Sequence, residues 1–84
     1  MEKIRFLENV GAIRILCYLD RVYKDTVCTI AENLGISPAT ARKRLTELES
    51  AGLISSFQPI YLKWYSLTKR GQKVVRVLSE EVKG

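Results

Sequence analysis

The rhythm of apolar positions changes along this chain. From Ala12 onward, Ile13, Leu16, Cys17, Leu19 and Tyr23 keep helical spacing, with Arg14, Asp20, Arg21 and Lys24 on the other side. They predict a long helix that ends before Asp25. Val27, Ile30, Ala31 and Leu34 predict a second helix over 27–34, with Thr26 as its N-cap. Gly35 follows where left-handed backbone ends a helix cheaply, and Ile36 turns inward. Ser37 is an N-cap, and Pro38 a first helical residue whose missing N–H costs nothing; together they open a third helix over 38–50, closed by Gly52. The period then shortens. Residues 53–57 read as a strand, Gln58-Pro59-Ile60 as a turn, and residues 61–67 as a returning strand rich in aromatics. Thr68 caps a last helix from Lys69 to about Val82, with Val74, Val75, Leu78 and Val82 in one stripe. Ahead of all this, Ile4, Phe6 and Leu7 sit among charges in a lead-in that Gly11 interrupts. The expected fold is mainly α with a small β-hairpin, as one domain over residues 1–84.

Two helices joined by Gly35-Ile36-Ser37 have the geometry of a helix-turn-helix. At 100° per residue, the third helix places Ala41, Leu45 and Leu48 on one side, which must be the core side. Ala39, Lys43, Thr46 and Ser50 fall opposite, flanked by Thr40 and Arg42, while Arg44 lies nearer the core edge. A helix-turn-helix puts the N-terminal part of this helix into the major groove of DNA. Ala39, Thr40 and Lys43 are then the candidate base-edge readers. Ala39 and the Thr40 methyl suit a thymine methyl, and Lys43 suits guanine acceptors or a phosphate. Arg42 and Arg44 point toward phosphates, and Ser37 with the free N–H groups of the helix start suits another.

Charge sharpens this. Residues 1–36 hold five basic and five acidic side chains, whereas residues 37–76 hold eight basic against two acidic. The positive field is therefore localised on the segment that contains the third helix, and such a field attracts polyanions. A solvated basic surface with no partner is the competing reading of charge alone.

The local sequence resembles the winged helix-turn-helix family. Residues 26–37, Thr-Val-Cys-Thr-Ile-Ala-Glu-Asn-Leu-Gly-Ile-Ser, look like its second helix and turn. Residues 37–54 look like its recognition helix and first wing strand, and residues 64–71, Trp-Tyr-Ser-Leu-Thr-Lys-Arg-Gly, like its second wing strand and following helix start. The chain is similar to small prokaryotic repressors of the multiple-antibiotic-resistance and arsenic-repressor kind, and to short archaeal and archaeal-virus regulators. The resemblance implies a transcriptional regulator that binds specific duplex DNA, usually as a homodimer. Family wings often carry Arg or Lys at the tip, and here the tip is uncharged; Lys63 is the one basic residue of the hairpin and is expected to reach a phosphate at most. The wing is therefore expected to contribute little. Lys69 and Arg70 at the start of the last helix are either a phosphate clamp or chance.

An apolar stripe too long for a small core marks a partner surface. Ile4, Phe6, Leu7, Val74, Val75, Leu78 and Val82 are the expected homodimer surface, and a two-fold dimer predicts a palindromic site.

Other functions fit less well. The chain has no His, no Gly-rich phosphate loop and no thiol with a plausible base, so no enzyme is expected. With two cysteines and no His, a four-ligand zinc site cannot form within one chain. Cys17 is expected to be a small buried apolar residue, and no cofactor or small-molecule ligand is evident. No apolar run approaches the ~20 residues of a membrane span, and no secretory signal is visible, so a cytoplasmic location is expected. The main competitor is a winged-helix module that binds protein instead of DNA. RNA binding is a third possibility, without an aromatic pair evident at the spacing of a stacking platform.

Overall fold

The computed structural model describes residues 10–83, with side chains over 11–78. Helix α1 (Val10–Val22) runs into strand β1 (Lys24–Thr26), then α2 (Val27–Leu34) and α3 (Pro38–Ser50), the hairpin β2 (Ile54–Phe57) and β3 (Trp64–Leu67), and α4 (Lys69–Lys83). The strands form one antiparallel sheet in the order β1-β3-β2.

α1 is in place but its inner face is not the expected one. Ala12, Ile15, Leu16, Tyr18 and Leu19 are buried, whereas Cys17 is an exposed free thiol and Tyr23 is largely exposed. Ala12, Ile15, Leu16 and Leu19 follow i, i+3, i+4, i+7, the spacing of one helical face, and Tyr18 flanks them. α1 ends at Tyr23, whose φ of 80° puts a non-glycine residue in the left-handed region. That costs about 1–2 kcal/mol, partly offset by the bond from its N–H to the Leu19 carbonyl at 2.8 Å. The turn lets the chain reverse at once into β1.

Strand β1 is the element the sequence does not announce. Lys-Asp-Thr has no apolar alternation, and its strand character comes from β3, with Lys24 opposite Ser66 and Thr26 opposite Trp64. Its middle residue joins a polar cluster. The Tyr18 hydroxyl donates to Asp25 Oδ2, Asn33 Nδ2 donates to the Tyr18 hydroxyl at 2.7 Å, and Thr26 N–H donates to Asp25 Oδ1 at 2.8 Å. Burial, and then the bond to Asp25, hold the Tyr18 hydroxyl above its ordinary pKa. α1, the sheet edge and α2 are thereby tied together. Thr26 occupies the N-cap position of α2 without a capping bond from its side chain.

The turn between α2 and α3 is as expected. Gly35 has φ 70°, and Ile36 N–H reaches back to the Ala31 carbonyl at 3.0 Å, the closing bond of a Schellman motif. The Arg14 guanidinium donates to the Leu34 carbonyl at 2.8 Å, satisfying another helix-end acceptor. A second Schellman closure ends α3, with Gly52 at φ 78° and Leu53 N–H on the Leu48 carbonyl at 3.0 Å. The core gathers Ile15, Leu16, Leu19, Ile30, Leu45, Leu48 and Ile54, with Tyr65 and Val75 closing its edges.

Two further expectations are corrected. The connection between the wing strands is the six-residue loop 58–63, not a three-residue turn, because β3 begins only at Trp64. Val75 is 4% exposed and belongs to the chain's own core, so it is not a partner-facing residue; Val77, at 54%, faces outward instead. Val74 is partly buried against the core. Ile4, Phe6 and Leu7, and the side chain of Val82, lie outside what the structure describes.

Candidate nucleic-acid interface

The start of α3 is built from its own sequence. The Ser37 hydroxyl accepts from Thr40 N–H at 3.1 Å, a capping bond worth about 1 kcal/mol, and it donates to Thr40 Oγ1 at 2.9 Å. Ser37 is thus engaged within the helix. Its donation fills the Thr40 oxygen as an acceptor and leaves the Thr40 hydroxyl proton free to point outward. Pro38 at the first helical position fixes the entry angle.

One side of α3 is completely covered. Ala41, Leu45 and Leu48 are each 0% exposed. Ala39, Thr40, Arg42 and Lys43 are all exposed, which places the short residues at the helix start and the cations in one outward arc. Neither Arg42 nor Lys43 has an ion-pair partner among the described residues, so their charges are available. Arg44 differs. It is half-buried, and its guanidinium pairs with Glu47 at 3.2 Å, one turn along the same helix. A pair this exposed is worth a few tenths of a kcal/mol, but it turns the Arg44 head along the helix and partly cancels its field.

The hairpin is attached to α3 at the other end. The Ser56 hydroxyl donates to Glu49 Oε2 at 2.7 Å. At its base, the Thr68 hydroxyl donates to the Gly52 carbonyl at 2.7 Å and accepts from Gly71 N–H at 3.1 Å, while Thr68 N–H donates to the Leu53 carbonyl at 3.1 Å. Lys63 is exposed, with its ammonium 5.6 Å from the centre of the Tyr65 ring. Since Tyr65 is the residue of β3 that faces the helices, Lys63 extends from that same side of the hairpin.

Sequence reasoning missed Lys24, whose ammonium lies 5.6 Å from the Phe57 ring centre and 5.8 Å from that of Trp64, across the outer face of the sheet. The signal needed was β1 itself. It also missed the exposed run Ile60, Tyr61 and Leu62, which it assigned partly to a strand. An open cleft of about 290 Å3, lined by Asp20, Tyr23, Lys24, Phe57 and Gln72 among others, lies between the end of α1 and the sheet. Among the described residues no three of His, Cys, Asp and Glu gather to hold a metal ion, and no helix is long and apolar enough to cross a membrane.

A capped helix with a small-residue start and cations without an ion-pair partner among the described residues, set on a helix-turn-helix beside a two-stranded wing, defines a winged helix-turn-helix domain. Within that class, residues 9–56 match the bacterial regulatory proteins of the arsR family, and the chain belongs to that family. Solved structures agree on the fold. RV1404 from Mycobacterium tuberculosis is 29% identical with a TM-score of 0.81, over 86% of this chain and 51% of that one. A mutant form of ZitR from Lactococcus lactis is 28% identical with a TM-score of 0.82, over 89% of this chain and 53% of that one. A mutant form of MepR from S. aureus, bound to an oligodeoxyribonucleotide, is 25% identical with a TM-score of 0.85, over 98% of this chain and 64% of that one. This chain therefore spans between about half and two thirds of the length of these relatives. No curated protein sequence matches it.

Proposed function

We propose that this chain is a single winged-helix domain that reads a specific duplex DNA sequence as a homodimer, with the first turns of α3 in the major groove. The observation that carries this reading is the division of α3 itself: a wholly buried apolar side, and an outward arc of Ala39, Thr40, Arg42 and Lys43 whose cations have no ion-pair partner among the described residues. Lys43 and Thr40 are the base-edge donors. Arg42 and Lys63 take phosphates, and Arg44 adds to the field after exchanging Glu47 for a phosphate. Ser37 acts through Thr40, and the peptide N–H groups of the helix start take a further phosphate. The DNA complex of the related MepR supports the partner class.

The dimer is argued from α4. Val77 is exposed and Leu78 half-buried on a helix whose inner side is already closed by Val75. A second copy would cover them, with Val82, Ile4, Phe6 and Leu7 as further candidates. A two-fold axis would set two α3 helices about 34 Å apart on a palindrome.

The test is a binding series on duplexes selected from a random pool. Lys43→Ala weakens the selected site by about 1–3 kcal/mol with little effect on random duplex. Arg42→Ala weakens all sequences alike and lowers the salt slope by about one. Unchanged binding by the Arg42/Lys43/Arg44 triple alanine variant would refute the assignment. A protein-binding module, which the uncharged wing tip favours, would show no steep loss of DNA affinity between low and high salt. A monomeric mass at micromolar concentration, or a Leu78→Glu variant with wild-type mass, would refute the dimer.

A further inference from the structure

Half of the positive charge between residues 37 and 76 lies outside α3 and the wing, on the first two turns of α4. Lys69, Arg70, Lys73 and Arg76 are all exposed, and none has an ion-pair partner among the described residues. Residues 50–79 hold five basic side chains and no acidic one. Asp20 of α1 lines a shallow cleft together with Arg76 but does not pair with it. At 100° per residue, Lys69, Lys73 and Arg76 make one stripe on the side of α4 opposite Gly71 and Val75, which are buried. Val77 and Leu78, the residues argued to meet a second copy, lie to one side of it. The Arg70 guanidinium stands apart, folded toward Gly52 at the end of α3. Stability does not account for the stripe. Cations in a first turn oppose the helix dipole, and Lys69 and Lys73 are a like-charge pair at the i, i+4 spacing, which is unfavourable.

We infer that the Lys69, Lys73 and Arg76 face of α4 holds the phosphate backbone of a second DNA duplex, so that a protein seated on its site through α3 captures another segment. The inference rests on α3 being the DNA-reading helix. α1 packs against both α3 and α4, and each of these helices turns its buried side inward, so their outer arcs diverge. The partner class follows from what the stripe offers and what it lacks. α4 has no aromatic residue, so it gives a single strand nothing to stack on. Its apolar side is occupied by the core through Val74 and Val75, so it has no apolar face to lay into a membrane. What remains is a row of cations one turn apart, and a duplex backbone is a row of anions that needs no other contact. Lys69 to Arg76 spans about 10 Å of helix axis, and successive phosphates of one strand rise about 3.4 Å, so the stripe reaches about three of them. Binding there reads no sequence.

The experiment uses the full chain, a duplex carrying the selected site fixed to beads, and a fluorescent random-sequence duplex in solution. Wild-type protein on the beads should retain the second duplex, with an affinity that falls about 40-fold between about 50 and about 200 mM salt, the dependence expected of three phosphate contacts. A Lys69→Gln, Lys73→Gln, Arg76→Gln variant should bind the selected site within about twofold of wild type and lose the second duplex by at least about tenfold. Its unfolding midpoint should equal or exceed that of wild type, since it relieves a like-charge pair and an opposed dipole. If wild type retains no second duplex, or the glutamine variant retains it equally well, the inference is refuted and the α3 reading stands. If the glutamine variant instead weakens the selected site, its cations serve that same duplex and the inference is refuted. If polyglutamate displaces the second duplex better than an equal charge of unlabelled duplex does, the face fits an acidic protein and the inference is refuted. If the Arg42/Lys43/Arg44 triple alanine variant still binds the selected site as wild type does, it is the α3 reading that has failed.

Discussion

Gly71→Ala should be among the most damaging single-methyl changes in this protein. Gly71 is buried in the first turn of α4, against the residue that leads into β2. A Cβ built there would lie 2.0 Å from the Leu53 carbonyl oxygen, 3.0 Å from its carbon and 3.3 Å from Leu67 Cδ2. The offending atoms are backbone, so no rotamer change relieves the clash, and the helix and the hairpin root must separate by more than about 1 Å to restore van der Waals contact. Overpacking of this kind costs about 1–3 kcal/mol or more. The Leu53 carbonyl also accepts from Thr68 N–H at 3.1 Å, and losing that bond adds about 1 kcal/mol. Alanine regains about 1 kcal/mol through its better helix propensity. The net is a loss of about 1–3 kcal/mol or more, which for a domain of this size lowers the melting temperature by roughly 4–24 °C. Thermal and urea unfolding followed by circular dichroism measure it. Gly35→Ala is the control: no atom lies within 4 Å of its Cβ, and only its φ of 70° opposes the change, at about 1 kcal/mol. A Gly71→Ala protein that melts within about 2 °C of wild type, or above the Gly35→Ala protein, would refute the packing argument.

Two further outcomes follow from the polar contacts. Tyr18→Phe should cost about 1–2 kcal/mol at neutral pH, because Asn33 and Asp25 each lose a partner. Since folding raises the Tyr18 pKa, its contribution is complete below the unfolded value near 10 and is lost as pH rises beyond it; urea midpoints of the Phe variant should therefore fall less steeply above pH 10 than those of wild type, and equal slopes would show that Tyr18 is not the group responsible. Ser37→Ala should cost about 1 kcal/mol of stability and also weaken DNA binding, since it frees Thr40 to rotate; Ser37→Asp should restore stability through the cap yet bind DNA more weakly than wild type, through repulsion of phosphate.

What could be read from the sequence was whatever is decided locally. Ser37-Pro38 and Gly35 fix a helix start and a helix end through their own backbone preferences, and the 100° rule places Ala41, Leu45 and Leu48 inward because α3 packs along one side only. Thr68 was legible as a cap for the same reason. The elements that escaped are decided by distant partners. β1 is three polar residues whose extended form is imposed by β3. The inner face of α1 begins at Ala12, a residue too small to weigh in an apolar pattern, and Tyr18 is drawn inside by Asp25 and Asn33. Cys17 and Tyr23 matched the helical period only approximately and point outward. Val75 looked like part of a free stripe because nothing local reveals that α4 folds back on α1. The outward arc of α3 was legible as a set, but the pairing of Arg44 with Glu47 was not weighed, and the wing loop was read at half its length because β3 begins only at Trp64.

The knot of bonds around Thr68 has an evolutionary consequence. Gly52 and Leu53, where the hairpin begins, and Thr68, where it ends, are joined at one point, so the two ends of this segment pass through one doorway, while its strands are held further along by β1 and by Glu49. Lengthening the loop 58–63 leaves that doorway untouched, and doubling a loop costs only about 0.6 kcal/mol in closure entropy. Tips of other lengths and chemistries can then be exchanged without re-solving the core. Descendants of one such domain can diverge at the wing tip while their third helices stay the same. Tips swapped between relatives over residues 58–63 should remain folded more often than exchanges of any helix.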